Sequence, residues 1–550
     1  MLWMAGRLYV LIDLEIEKNE EDLKMSFSKP NFSAATMTKL RTPSAYVPSS
    51  GLCATCLDGC PGFCEVGNSA VRGKEVLYPQ PFGTTTSASE KDYPVDYSHF
   101  NIMGTTVGAH GIEADSDKAI FPNVSIETAA GKDGDLKFKT PIIVAGMGST
   151  FVAKDNWSGL AAGTAISGAS IVIGENICGM DPELEVKNGM VIHSPALVSR
   201  VNAFKDWYNG YGTIAVQANV EDTRLGVQEY ALDKLGVDTV ELKWGQGAKD
   251  IGGEVKIKSL EFALELKARG YIVLPDPEED SVQEAYRKGA FKEFERHSRV
   301  GMVDEESFMK RVEELRNAGA KRIFLKTGAY RPADLALALK FASKAKLDLL
   351  TVDGAGGGTG MSPWRMMNEW GVPTLYIQSL LTQYCDRLAA KGEYIPPISI
   401  AGGFSLEDHM YKTIALGAPY VKVVGMARAP LTAAMVGKNV EQAIKKGKVF
   451  SEQKKYGESM DQIFILSEQL RKELGREAFD RLPEGALGVY TYFNRLTQGL
   501  KQFMCGSRKF TLGHITRDDI VALTEEAAKI SGIRYVMDLD KEAVDNILEA

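Results

Sequence analysis

The stretch LDLLTVDGAGGGTGMSP (347–363) decides the fold. Its first half is a near-continuous apolar run, as expected of a strand buried on both faces of a parallel sheet. Its second half places five glycines within the seven residues 354–360. A glycine-rich loop after a buried strand lets backbone N–H groups face an anion without side-chain interference. The dinucleotide fingerprint G-x-G-x-x-G fails, because Thr359 stands where the third glycine belongs. No Gly-Lys-Ser/Thr follows, so the loop is not a P-loop either.

Seven further runs of the same kind flank this one. They are PIIVAG (141–146), ASIVIG (169–174), TIAVQA (213–218), TVELKW (239–244), RIFLKT (322–327), PPISIAGG (396–403) and PYVKVVG (419–425). Helix-patterned stretches such as SLEFALELKARG and ADLALALKFASKAK lie between them. Eight buried strands alternating with helices predict an α/β fold, a closed parallel (βα)8 (TIM) barrel. A ninth candidate, YIVLP (271–275), falls inside a long segment, 245–320, which reads as an excursion after the fourth strand. The predicted organisation is an N-terminal arm (1–50), an irregular Cys-rich cap (51–135), the barrel (136–430) and a C-terminal helical extension (431–550) packed on the barrel's outside. The opening MLWMAGRLYVLIDLEI runs directly into acidic residues without a small-residue cleavage site and reads as a non-signal segment, with Met25 the more plausible start.

Composition narrows the partners. Of the 550 residues 44% are hydrophobic and 25% charged, and the net charge is −8. No basic arm or tract stands out, which argues against nucleic acid and anionic membranes. No apolar run reaches the ~18 residues of a membrane span. The seven cysteines do not form a secreted disulfide framework, so the expected compartment is the reducing cytoplasm. The six histidines are dispersed and show no metal-binding spacing.

In a parallel barrel the active site lies where strands end and βα loops begin. The residues there are Gly146, Met147, Gly148 and Ser149, then Gly174, Glu175 and Asn176, then Gln217, Lys243, Lys326, Asp353 and Gly354, and last Gly402, Gly403, Gly425, Met426, Ala427 and Arg428. The loops after the last two strands commonly hold a phosphate. Gly402 and Gly403 occupy one, Gly425 and Met426 the other, and the first loop adds Gly356, Gly357, Gly358 and Thr359. Lys326 ends an apolar strand, where an inward ammonium needs an anionic partner. In KWGQGAKDIGGE (243–254), Gln246 and Lys249 stand on a glycine-rich loop suited to a carboxylate.

In combination and order these motifs resemble the FMN-binding synthase domain of glutamate synthase. VAGMGS, IGENICG, QGAKDIGGE, FLKTG, GAGGGTGMSP and AGG each match a motif of that family, over about Pro141 to Arg428. The resemblance implies an FMN-dependent oxidoreductase that reductively aminates 2-oxoglutarate, by way of its imine, to L-glutamate. It implies FMN contacts from Met147, Gln217, Lys326, Gly357, Gly358, Gly403 and Gly425, and substrate contacts from Glu175, Gln246 and Lys249. Lys326 would stabilise the anionic reduced flavin, Glu175 the iminium, and Lys249 a carboxylate.

The sequence also departs from the family. Glu254 replaces the glutamine after the glycine pair, and His297-Ser298-Arg299 stands in place of a His-His-Asp stretch. Residues 429–449 hold none of the family's three-iron cysteines, and no segment resembles the glutaminase domain. CATCLDGCPGFC instead places Cys53, Cys56, Cys60 and Cys64 within twelve residues. That spacing suits an iron–sulfur cluster, read as 4Fe-4S, or alternatively a zinc ion. The expected partners are a small 2-oxo acid, ammonia from outside the chain, an electron donor such as ferredoxin or a reductase subunit, and further subunits in a homo-oligomer or hetero-complex. Two rivals remain: a related FMN barrel enzyme of different substrate, of the N-methylglutamate synthase type, and a non-catalytic electron-transfer subunit.

Overall fold

The computed structural model describes residues 59–60, 62, 65–73, 93–245, 254–357 and 370–550. The chain-order strands are β1 (Phe100–Ile102), β2 (Thr128–Ala130), β3 (Leu136–Phe138), β4 (Ile142–Met147), β5 (Ser170–Ile173), β6 (Glu185–Lys187), β7 (Met190–His193), β8 (Ile214–Ala218) and β9 (Thr239–Lys243). They continue as β10 (Glu254–Ile257), β11 (Ile272–Leu274), β12 (Phe294–His297), β13 (Arg322–Thr327), β14 (Leu349–Asp353), β15 (Ile398–Ala401), β16 (Val421–Met426) and β17 (Ile520–Ala522). Eight of them, β4, β5, β8, β9, β13, β14, β15 and β16, pair in parallel and close into a barrel, as the sequence predicts.

Inside the barrel, alternation along each strand separates an apolar floor from a polar rim. Ile143, Val172, Ala215, Phe324, Leu349 and Val423 meet at the floor. The antiparallel hairpin β2–β3 plugs that end with Ala130, Leu136 and Phe138. Backbone bonds hold the plug: Gly131 donates to the Asp348 carbonyl, and Lys132 to the Asp348 carboxylate. Burying each large side chain there contributes ~1.5–3 kcal/mol. Two residues beyond Ala215 and Phe324 the strands turn polar, at Gln217 and Lys326, and Glu241 lies beside Gln217 in register. The floor therefore makes the barrel stable, and the opposite end is free to carry charge.

The barrel helices start where their sequences permit. Thr150 caps the helix Phe151–Ile166 and Asp304 caps Glu305–Asn317, each side chain accepting a backbone N–H of the first turn. The C-terminal helices Arg428–Lys445 and Ala486–Gly506 pack beside Phe151–Ile166. That approach is close enough for a Cβ at Gly163 to lie 2.6 Å from the Ala486 carbonyl oxygen. Strand β17 returns to pair with β1, joining the two ends of the described chain.

The excursion after β9 contains β10, β12 and β11, an antiparallel sheet in that order. YIVLP supplies β11, so this run belongs to the small sheet and not to the barrel. Ile257, Leu260, Ala263, Leu266, Tyr271, Val273 and Phe294 form its own apolar cluster. Among the described residues no helix is long and apolar enough to cross a membrane.

Candidate active site at the barrel mouth

The polar rim is a set of paired charges. Lys243, at the end of β9, lies 2.6 Å from Glu175, which follows β5. Burial alone would raise the Glu175 carboxyl, but Lys243, aided by Lys326, holds it below the usual carboxylate range. Lys326 pairs with Asp353 on the neighbouring strand at 3.2 Å. Burial alone would lower the Lys326 ammonium, yet Asp353, Glu241 and Glu175 hold it above its ordinary value. The anionic partner that the sequence demands of Lys326 is thus a protein carboxylate, before any ligand is considered.

Beneath these pairs, Gln217 Nε2 donates to Glu241 Oε1 at 2.5 Å. The fully buried Glu241 carboxyl is pushed up by burial, against the pull of Lys326. Gln217 Oε1 is buried without a hydrogen-bond partner. Thr351 and Ser399, adjacent to one another in register, also carry buried hydroxyls without partners. Glu241 was not singled out in the sequence; the signal was there, since TVELKW interrupts an apolar strand with two charges at alternate positions.

The glycines at the strand ends are first of all close-packing residues. A Cβ at Gly402, whose φ is +128°, would lie 2.3 Å from Thr374 Oγ1. One at Gly357 would meet the Asp353 carboxylate at 2.6 Å, one at Gly425 the Ala401 Cβ at 2.7 Å, and one at Gly146 the Gln217 amide at 3.0 Å. The Thr374 hydroxyl lies 2.8 Å from the carbonyl oxygens of both Ala355 and Gly402, tying two loops together. Gly356 and Gly403 both adopt positive φ. Arg200 donates to the carbonyls of Met147 and Gly148, fixing the loop after β4.

Arg428 opens the helix that follows β16 and is half-buried. Burial brings its guanidinium down to about 10, with Asp353 opposing. It makes no hydrogen bond or ion pair among the described residues.

Several sequence-derived site residues lie outside the described residues: Gln246, Lys249, Gly358 and Thr359 at the mouth, and Cys53, Cys56 and Cys64 in the cap. Cys60 is half-buried; its Sγ accepts from Gly62 N, and its carbonyl accepts from Asn439 on the helix Arg428–Lys445. Among the described residues no group of three or more His, Cys, Asp or Glu is arranged to hold a metal. Cys178 and Cys385 are fully buried, and burial pushes the Cys178 thiol up to about 12, in keeping with inert thiols.

Comparison with known proteins agrees with the motif reading. Residues 296–439 match the family model described as the conserved region in glutamate synthase. A glutamate synthase large subunit-like protein of Bacillus subtilis (strain 168) is 28% identical over 194 residues, which cover 34% of this chain and 32% of that protein. The match thus spans about a third of the relative's length. Among solved structures, a monotopic membrane protein (S)-mandelate dehydrogenase aligns over 77% of this chain and 88% of its own, with 11% identity and a TM-score of 0.42. An IMP dehydrogenase/GMP reductase-like protein from Corynebacterium glutamicum aligns over 76% and 91%, with 11% identity and a TM-score of 0.38. The chain carries a glutamate-synthase-like region on a closed parallel barrel.

Proposed function

We propose that this chain is an FMN-dependent oxidoreductase of glutamate-synthase type, acting on the imine of a 2-oxo acid, in the first place 2-oxoglutarate, to give the amino acid. The observation that carries the reading is the rim of the barrel: Lys326 held charged at the end of β13, with Arg428, at the head of the helix after β16, making no ion pair among the described residues. Those residues fit a flavin mononucleotide. Arg428, the helix N-terminus and the Gly402-Gly403 loop suit its phosphate, and Gln217 Oε1 and Lys326 suit the polar edge of its ring. FMN, when bound, supplies the hydride.

The chain supplies charge and position. Lys326, kept protonated by Asp353, Glu241 and Glu175, offers a fixed positive charge where negative charge grows on reduction. Glu175 offers a carboxylate to a cationic imine nitrogen, sharing it with Lys243. Lys249 and Gln246 hold a substrate carboxylate in this reading, which rests on their motif alone. Electrons enter through a cluster on Cys53, Cys56, Cys60 and Cys64 from a separate donor protein, and ammonia comes from outside the chain; these rest on the spacing of the cysteines and on the departures from the family. The compartment is the cytoplasm.

The test is anaerobic purification, extraction of the flavin, iron and sulfide analysis, and turnover of 2-oxoglutarate and ammonia with an artificial reductant. Stoichiometric FMN with glutamate formed supports the reading. Protein that neither contains nor takes up FMN overturns it. Glu254 and the cysteine-free stretch 429–449 favour a second reading, in which the amine is alkylated and the product an N-alkyl amino acid. Methylamine consumed in preference to ammonia would select it.

A further inference from the structure

The polar rim gathers the carboxyls of Glu175, Asp353 and Glu241, and they are not held alike. Glu175 lies 2.6 Å from Lys243, and Asp353 lies 3.2 Å from Lys326. Glu241 is fully buried and forms no ion pair among the described residues. Its carboxyl has one hydrogen-bond partner there, the neutral amide of Gln217, its neighbour in register on β8. On the other side β13 sets Phe324 against Glu241 in register, so Lys326 stands two residues further along that strand. Glu241 therefore meets the rim's positive charge only at a distance.

A buried carboxylate whose hydrogen bond comes from an uncharged amide is poorly compensated. Burial raises the Glu241 carboxyl above its ordinary range; Lys326, the Gln217 bond and Lys243 pull it back, and Glu175 adds to the rise. The charged groups that face it are thus Lys326 on β13, Lys243 on its own strand and Glu175 after β5, with Asp353 acting through its pair with Lys326. Protonation has a geometry ready for it. Gln217 Nε2 lies 2.5 Å from Glu241 Oε1. That is short for an N–H···O bond and ordinary for a carboxylic O–H donating to an amide oxygen, which Gln217 supplies by turning its amide end for end. The two forms of the pair differ by one proton, and both keep the bond.

We infer that Glu241 takes up a proton when negative charge appears beside Lys326, and so acts through that lysine as a positioning residue that couples reduction at the mouth to proton uptake. The assignment rests on the reading that FMN occupies the mouth. Reduction of FMN to its anionic form takes two electrons from the donor and one proton, both delivered to the ring. The new anion then engages the Lys326 charge, so the Glu241 carboxylate loses compensation and gains a like charge nearby. It binds a second proton from water and becomes a carboxylic acid that donates to Gln217; reoxidation releases that proton. Two electrons move with two protons over the pH range in which Glu241 is ionised before reduction and protonated after it. Outside that range they move with one.

The experiment compares the full-length protein with Glu241→Gln, which keeps a hydrogen bond to Gln217 and removes the titration. With flavin bound and dithionite as reductant, the reduction potential of the wild type should fall about twice as steeply with pH as that of the variant over one window, and in parallel with it elsewhere. Parallel lines over the whole accessible range overturn the coupling. A purely structural Glu241 would give such lines together with a lower melting temperature in the variant. Infrared spectra of the flavin-free protein give a second readout. As the pH falls, a carboxylic acid C=O band missing from Glu241→Gln should appear above the ordinary carboxyl range, and Lys326→Met should move its midpoint upward. The buried carboxyls of Asp222 and Glu441 are common to both proteins and cancel in the difference. A midpoint in the ordinary range, or one that Lys326→Met leaves in place, overturns the inference. If Lys326→Met fails to fold, the potentials of wild type and Glu241→Gln decide the matter. A Lys326-dependent band in a protein that takes up no flavin would retain the link between the two residues and reject the flavin reading instead.

Discussion

Glu441 offers a direct measurement of how the burial of one carboxyl controls stability. It lies within the helix Arg428–Lys445, 6% exposed, where the backbone N–H of Gly485 donates to Oε1 at 3.1 Å. Burial pushes its carboxyl from 4.5 up to about 8; Glu484 adds to the rise, while the Gly485 bond and Lys445 oppose it. The native state therefore holds this proton more tightly than the unfolded chain does. The group's contribution is greatest below the unfolded value of 4.5, declines as the pH rises, and is lost once the pH passes about 8. At about 1.4 kcal/mol per pH unit, that window corresponds to a loss of about 5 kcal/mol. Glu441→Gln keeps the acceptor for Gly485 and removes the titration. Urea unfolding of both proteins across this pH range isolates the effect, since every other carboxyl, Asp222 included, titrates in both. The two should be equally stable near the acid end, and the glutamine variant should be several kcal/mol more stable at the alkaline end. Stability curves that stay parallel throughout refute the reasoning, and with it the idea that Glu441 is held protonated at neutral pH.

Two further outcomes concern the rim. Gly402→Ala places a Cβ 2.3 Å from Thr374 Oγ1 at a φ of +128°, so it should lower stability by about 2 kcal/mol or more and displace the 402–403 loop; urea unfolding that matches the parent contradicts this. Lys326→Met leaves Asp353 and Glu241 without their shared cation and should cost about 3–5 kcal/mol. Adding Asp353→Asn should recover part of that loss while leaving FMN binding weakened, whereas additive losses would show that the 3.2 Å pair is not coupled.

Much of this architecture is legible because parallel barrel strands are buried on both faces. PIIVAG, RIFLKT and PYVKVVG are near-continuous apolar runs, and β4, β13 and β16 lie within two residues of them. The glycines after β14 and β15 were equally visible, but their meaning was only half legible. The sequence reads them as a bare cradle, whereas Gly357 and Gly402 are small because Asp353 and Thr374 occupy the space a Cβ would take. Which charges pair was not legible at all. Lys243 meets Glu175 from strands separated by β8, and only the order and register of the closed barrel bring them together. The burial of Arg296 on β12 was not legible either. A run of alternating charges looks solvated until one face of β12 is known to be covered, although the inward Phe294-x-Arg296-x-Ser298 periodicity was present in the sequence. The β2–β3 plug was equally hidden, because three-residue strands carry too few side chains to show a period.

The pairing of charges at the mouth leads to one more step. Lys243 and Lys326 are paired with Glu175 and Asp353, so each ammonium has a carboxylate beside it before any ligand arrives. Arg200 is spent on backbone carbonyls. Among the described residues Arg428, at the head of the helix after β16, makes no hydrogen bond or ion pair. Arg428 has the helix N-terminus and the glycine loops that suit a phosphate. On the proposed reading the paired lysines respond to charge that develops during reaction, while Arg428 meets charge that a phosphate already carries.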